Sequence, residues 1–419
     1  MKFTRVFAFM ALAGMAGSAF ATNGYFSHGY GMKAKGMAGV STTSTEDAFF
    51  GANNPAAAAF AGDRADLGVD LFSPIREATT TNLFGSGMDV TSESDSEYFL
   101  VPEFGYNKML NPNLALGVTV YGNGGMNTDY SGIAAFGDAN LLGGSGRLGV
   151  DLMQLIVAPT AAFKVAPNHS IGVSPLLGYQ RFEAEGLQGF GVMTATGDNL
   201  GSDDAFGYGL RIGYLGKIAP TVTIGAAYAT KMSFDEFDKY DGLFAEQGDF
   251  DIPSNYNLGV AWQATPQVKL ALDYQRINYS DVASVSNPLL PNLMTAPLGS
   301  DNGPGFGWSD IDVIKLGVEY KHSQQLTLRA GYSHTDSPIE SGCATMENCM
   351  ETTFNIIAPA VIEDHLTLGF TYTLASGNEV TMAYMHGFEN EVSDVGMMGD
   401  ETTIQMHQNS LGIQYSWKM

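Results

Sequence analysis

The chain has 419 residues, a formal net charge of −24, only 15% charged residues, 51 glycines and two cysteines. An acidic balance with no basic stripe to neutralise phosphates excludes a nucleic-acid partner. No stretch supplies the roughly 18 uninterrupted apolar residues of a spanning helix, so a membrane can be crossed here only by strands.

Lys2 and Arg5, an apolar run over residues 6–16 and Ala19-Phe20-Ala21 form the charged, apolar and cleavage regions of a secretory signal over residues 1–21. The mature chain is expected to start at Thr22.

Residues 22–63 do not alternate in polarity. Asn54-Pro55-Ala56-Ala57-Ala58-Ala59-Phe60 predicts a short helix, with Asn54 as N-cap and Pro55 at the first helical position, where its missing N–H costs nothing. Residues 32–37 predict another. Apolar and glycine content unlike a solvated tail marks the segment as a hatch that fills whatever follows.

From residue 64 to residue 419 the rhythm is uniform, with no linker and no charge block. Tight breaks at residues 107–113, 165–169, 218–221, 263–267, 321–324 and 374–378 alternate with long polar loops, and seven loops with six turns require fourteen strands. The fold class is therefore all-β: a 14-stranded antiparallel transmembrane barrel, plugged by the N-terminal hatch, with both termini on the periplasmic side of a Gram-negative outer membrane. Apolar sets such as Leu270, Leu272 and Tyr274, or Ile314, Leu316, Val318 and Tyr320, are expected to face lipid, and the residues between them the lumen. Tyr228, Tyr256, Tyr274, Tyr332 and Tyr384 fall toward the loops, and Tyr214, Trp262, Tyr320, Tyr372, Tyr415 and Trp417 toward the turns. Two such girdles suit two membrane interfaces, whereas the interior of a soluble sandwich gives no reason for the sorting.

Cys343 and Cys349 share one long loop and are expected to form a disulfide; a metal pair is the alternative, with poor ligation. The carboxylates of residues 235–251 read as a solvated acidic loop, or as a calcium-bridged one that reaches lipopolysaccharide, without a complete calcium-loop spacing. Histidines at 28, 169, 322, 334, 365, 386 and 407 show neither nucleophile-elbow nor zinc spacing, which counts against an outer-membrane hydrolase. Nothing indicates an ATP site, and no cofactor is expected. The hatch counts against an open general porin. A monomer in contact with lipid is expected.

The order of Asn23-Gly24-Tyr25-Phe26-Ser27-His28-Gly29-Tyr30-Gly31, Asn54-Pro55-Ala56, Gly124-Gly125-Met126-Asn127-Thr128, Thr335-Asp336-Ser337-Pro338 and Tyr384-Met385-His386-Gly387 resembles the outer-membrane long-chain fatty acid and hydrocarbon transporters of the FadL/TodX type. The resemblance covers essentially the whole mature chain. It implies passive uptake of a hydrophobic small molecule, bound in a lumenal pocket and released sideways beside a kinked third strand. Carried over, it places Asn23, Gly24, Tyr25 and Phe26 at the pocket wall, with Asn54, Pro55 and Ala56 in the hatch. The third strand, read here as residues 113–121, ends in Gly122, Asn123, Gly124 and Gly125, which is either the kink or a plain glycine-rich start to a loop. Two cations that the fatty-acid members present fall here on Gly186 and Pro304. Arg181, Lys315 and Arg329 remain as substitutes, and Arg181 shares the lipid-facing parity of Leu177 and Tyr179. Neutral hydrocarbons and aromatics therefore rise relative to fatty acids, without excluding them.

Overall fold

The computed structural model describes residues 23–190, 199–341, 350–395 and 400–419. The expected signal segment and the Cys343–Cys349 pair lie outside the described residues. Fourteen strands form the wall: β1 (Arg64–Thr80), β2 (Phe99–Asn111), β3 (Leu114–Tyr130), β4 (Leu148–Ala166), β5 (His169–Glu185), β6 (Asp203–Ala219), β7 (Val222–Ala229), β8 (Asn255–Gln263), β9 (Val268–Ile277), β10 (Ile311–Lys321), β11 (Leu326–Thr335), β12 (Asp364–Thr373), β13 (Glu379–Val395) and β14 (Glu401–Lys418). Each pairs antiparallel with its sequence neighbour, and β14 returns to β1 from Arg64↔Lys418 to Thr80↔Thr402, closing the sheet. Closure leaves no edge to pair with another chain. Two short strands, Val90–Glu93 and Ser233–Phe234, sit in loops.

The expected alternation is present residue by residue. Along β10, Ile311, Val313, Lys315 and Glu319 are buried while Ile314, Leu316, Val318 and Tyr320 are exposed. Leu270, Leu272, Leu366 and Leu368 point outward, against inward Ala271, Asp273 and Thr367. Tyr228, Tyr332 and Tyr384 on the loop side, and Trp262, Tyr320, Tyr372 and Trp417 on the turn side, are exposed as girdle residues should be. Strand ends differ from the sequence reading. The third strand, read from sequence as residues 113–121, runs on to Tyr130, and the first runs from Arg64 to Thr80. Polar residues beyond the hydrocarbon belt still pair, because a barrel rim continues its ladder into water.

Residues 23–63 occupy the lumen. The two expected helices are there, as Met32–Lys35 and as Pro55–Ala57 continuing into Ala58–Ala61, and Asn54 Oδ1 accepts from Ala56 N at 3.1 Å. The rest is irregular, so its backbone groups need partners. Inward side chains of the wall supply them. Glu103 accepts from Gly31 N, Gln414 from Met32 N, Thr367 from Ala38 N, and Asp66 from Ala48 N; one Asp273 oxygen accepts from Ser41 N, Thr42 N and the Thr42 hydroxyl. Lys33 and Lys35 add ion pairs to Glu379 and Asp70, each at 2.6 Å.

Candidate functional site

The lumen has two chemistries. Toward the turns it is polar and ionic: Lys269, Arg329, Glu319 and the hatch residue Glu46 form one network around a cavity of about 180 Å3. Toward the loops it is apolar and aromatic. Phe182, Phe237, Tyr240, Phe244, Phe250, Tyr279, Phe306, Trp308 and Phe354 are all buried there, and they form one continuous cluster with Tyr25 and Phe26. The segment read from sequence as an acidic loop supplies much of it. Asp235, Glu236, Asp238 and Asp241 are exposed, while Phe237, Phe244 and Phe250 turn inward, so the same stretch is solvated on one side and lines the vestibule on the other. That spacing of phenylalanines among carboxylates was the available signal, and composition hid it.

Asn23, Gly24, Tyr25 and Phe26 sit at the floor of this vestibule. Tyr25 packs within 6.0 Å, ring to ring, of Phe26, Phe250, Tyr279 and Trp308. The Tyr279 hydroxyl donates to Asn23 O at 2.6 Å and accepts from Tyr25 N at 3.2 Å. Gly24 has φ +63° and a Cβ there would lie 2.1 Å from the Tyr279 oxygen, so both conformation and space demand glycine. Asn54, Pro55 and Ala56 are not part of this floor. Asn54 Nδ2 donates to Tyr214 O, and Ser170 donates to Ala56 O, which fixes the second helix to the wall near the turns. The helix that Asn54 caps fills the turn-side end of the lumen, away from the loop-side floor.

Residues 122–125 lie within β3. The β3–β4 register shifts between Gly122 and Gly124, leaving Asn123 as the extra, bulged residue. The Asn123 side chain donates to Gln154, and Gln154 and Gln180 carry the chain of amides on to Phe250 O. On the other side, β2 and β3 pair only from Phe104↔Val120 down to Asn111↔Leu114. Above that the strands part, and the wall closes again only at the Ser94↔Tyr130 bridge.

In this window other groups take the place of β2. Phe26 bridges Gly124, Ser27 N donates to Asn123 O at 3.1 Å, and Gly125 N donates to Tyr25 O at 3.2 Å. Further up, Arg76 of β1 reaches across to Asn127 O at 2.5 Å and to Ser94 Oγ at 3.0 Å. An unpaired backbone group in hydrocarbon costs several kcal/mol, so these contacts are what allow a wall gap to persist. Arg76 was not singled out from sequence, since nothing in its neighbourhood marks it as inward and unpaired.

Of the cations considered as substitutes, Arg181 points outward toward Asp151 and Glu183, and Arg329 is spent on Glu46 and Glu319. Lys315 is buried and donates to His28 O at 3.2 Å. A recess of about 690 Å3 lies on the outward face of β4 to β8, between side chains such as Phe163, Ile171, Ile212 and Leu258. These are lipid-facing positions, so it is a concavity against acyl chains and not the lumenal site. The cavity beside Tyr25 measures only about 10 Å3.

The model of one family, described as outer membrane protein transport protein (OMPP1/FadL/TodX), matches residues 8–413. Among solved structures, the chain is similar to the Pseudomonas putida toluene transporter TodX, with 19% identity over 94% of this chain and 99% of that one and a TM-score of 0.69. It is also similar to a Pseudomonas aeruginosa FadL homologue, with 15% identity over 96% and 99% and a TM-score of 0.69. A third is the Ralstonia pickettii toluene transporter TbuX, with 16% identity over 94% and 99% and a TM-score of 0.63. Curated protein sequences include no match.

Proposed function

Because this chain belongs to the OMPP1/FadL/TodX family of outer-membrane transport proteins, we propose that it takes up hydrophobic small molecules passively and releases them sideways through the window between β2 and β3. The observation that carries this reading is the position of Tyr25 and Phe26, which form the floor of an aromatic vestibule and, through their backbone, also fill that window. A molecule that displaces them from above therefore reaches the wall opening in the same movement. Diffusion down a gradient supplies the driving force. The turn-side end is filled by the hatch and its ion pairs, so a direct path to the periplasm costs several buried charges their partners. The protein acts as a monomer held by outer-membrane lipid, after removal of residues 1–21.

Binding of alkanes, aromatics and fatty acids to purified protein, measured by displacement of a fluorescent apolar probe, tests the reading together with uptake into cells. A disulfide engineered between the hatch tip and β3 should leave surface binding intact and abolish uptake. Full uptake through the crosslinked protein would show that the window is not the route. A steady, large ion conductance from the intact protein would instead favour a general porin.

A further inference from the structure

Three buried cations have no carboxylate within ion-pair distance among the described residues: Arg76, Arg211 and Lys315. Arg76 is held by oxygens of Asn127, Ser94 and Ser96. The other two are supplied less well and lie together. Arg211 of β6 is 4% exposed, and its Nη1 has no hydrogen-bond partner. Lys315 of β10 is 5% exposed and gives one of its three protons to His28 O at 3.2 Å. Both line a single cavity of about 20 Å3, with the hatch residues Phe26 and Tyr30 on one side and Asn255, Asn257 and Gln275 of β8 and β9 on the other. No carboxylate lines it. Asp273 stands opposite Lys315 in the β9–β10 register, but beyond ion-pair distance, and its Oδ2 is taken up by Ser41 and Thr42 of the hatch.

Two like charges that share one buried space repel each other, and each has also lost its hydration. Amides and carbonyls offset part of that cost but leave the charge. If Arg211 and Lys315 served only to fasten the hatch, neutral donors on the same strands could do so without burying two cations. An anion between them removes both penalties. The size of the cavity limits what that anion can be: about 20 Å3 holds one particle little larger than water, which excludes a phosphate or any carboxylate that carries a chain. A monatomic anion makes no directional demand, so it can accept at once from a guanidinium, an ammonium and the side-chain amides around it.

We propose that this cavity binds one halide ion, chloride under ordinary conditions, and that the ion ties the hatch tip to β6 and β10. The ion is structural. It is not the transported molecule, and the site stands whatever the barrel carries.

Protein exchanged into sodium bromide, with diffraction data collected at the bromine edge, should show one anomalous peak between Arg211 and Lys315. In solution, chloride is raised from none to about ten times its dissociation constant while gluconate, too large for the cavity, keeps the ionic strength fixed. Hydrogen exchange of the docked hatch should then slow about tenfold, because the bound state gains in proportion to ligand over dissociation constant. Ser27 N, which donates to Asn123 O, and Ser41 N, which donates to Asp273, are the amides to follow. Arg211→Gln combined with Lys315→Met should remove the chloride dependence, whereas Arg181→Gln on the outward face should keep it, and heat-modifiable mobility on gels reports whether each barrel is folded. Absence of a bromide peak from the cavity of the wild type overturns the proposal. So does equal exchange in chloride and gluconate, or a chloride dependence that persists in the folded double variant. A bromide peak without any effect on exchange is an adventitious ion only and removes its role in holding the hatch. Should the double variant fail to fold, the two wild-type measurements decide alone.

Discussion

Phe26 of the hatch and Gly124 of β3 are paired as an antiparallel bridge, so a lumenal segment serves as a piece of barrel wall. The approach is close because Gly124 lacks a side chain: a Cβ there would lie 1.8 Å from Tyr25 O. From sequence, residues 122–125 are either a kink or a glycine-rich start to a loop. In the structure they lie within β3, with a register shift at Asn123, and Gly124 is the docking point of the hatch tip.

Replacement of Gly124 by Val should therefore expel residues 23–27 from the window, with the barrel itself still folding. Heat-modifiable mobility should be unchanged, hydrogen exchange at Gly125 and Ser27 should rise by at least tenfold, and uptake should change. Protection at those amides equal to wild type would mean that β3 yields and the hatch does not.

Tyr279→Phe removes one oxygen that both donates to Asn23 O and accepts from Tyr25 N. Tyr25 N then loses its partner while Asn23 O keeps Phe26 N, which should cost the docked tip about 1–3 kcal/mol. Local exchange at Tyr25, and not global melting, is the measurement that should register it.

Lys35 and Asp70 are each 3% exposed and paired at 2.6 Å. Lys35→Met strands a buried carboxylate and should destabilise the hatch by about 3–5 kcal/mol, whereas adding Asp70→Asn should recover most of the loss. Protease release of the hatch from otherwise intact barrels follows both variants. A single variant as resistant as wild type would indicate that water already reaches Asp70.

The roof of the vestibule should loosen as pH rises. Glu351, on the short helix Glu351–Phe354, is buried and accepts from Leu289 N at 3.0 Å, joining two loops. Burial pushes its carboxyl up to about 8, the Leu289 N–H works against that shift, and Asp394 and Glu340 add to it. An ordinary glutamate titrates near ~4.3, so between there and about 8 the closed roof holds a proton that the open roof has lost. Its contribution is complete at the acid end of that window and declines as pH climbs through it. Protease protection of these loops should fall as pH rises through that window toward about 8, and Glu351→Gln should make it independent of pH.

Strand number, strand direction and the inward or outward face of most wall residues follow from the sequence, because a two-residue period and the alternation of short turns with long loops leave one closed arrangement. Asn54 as a cap and Pro55 as a first helical residue are equally local and equally legible. Tertiary structure decided the rest. Nothing local says that Asn54 and Tyr25 lie at opposite ends of the lumen, that Phe237, Phe244 and Phe250 of an acidic loop face inward, or that β2 leaves β3 above Phe104. Those depend on which partners a segment meets across the barrel, with residues such as Tyr25 and Tyr279 more than 250 positions apart in the chain. Arg76 is the clearest case: neither its place on β1 nor its lack of a counter-ion is visible locally, because both depend on what surrounds it in the barrel.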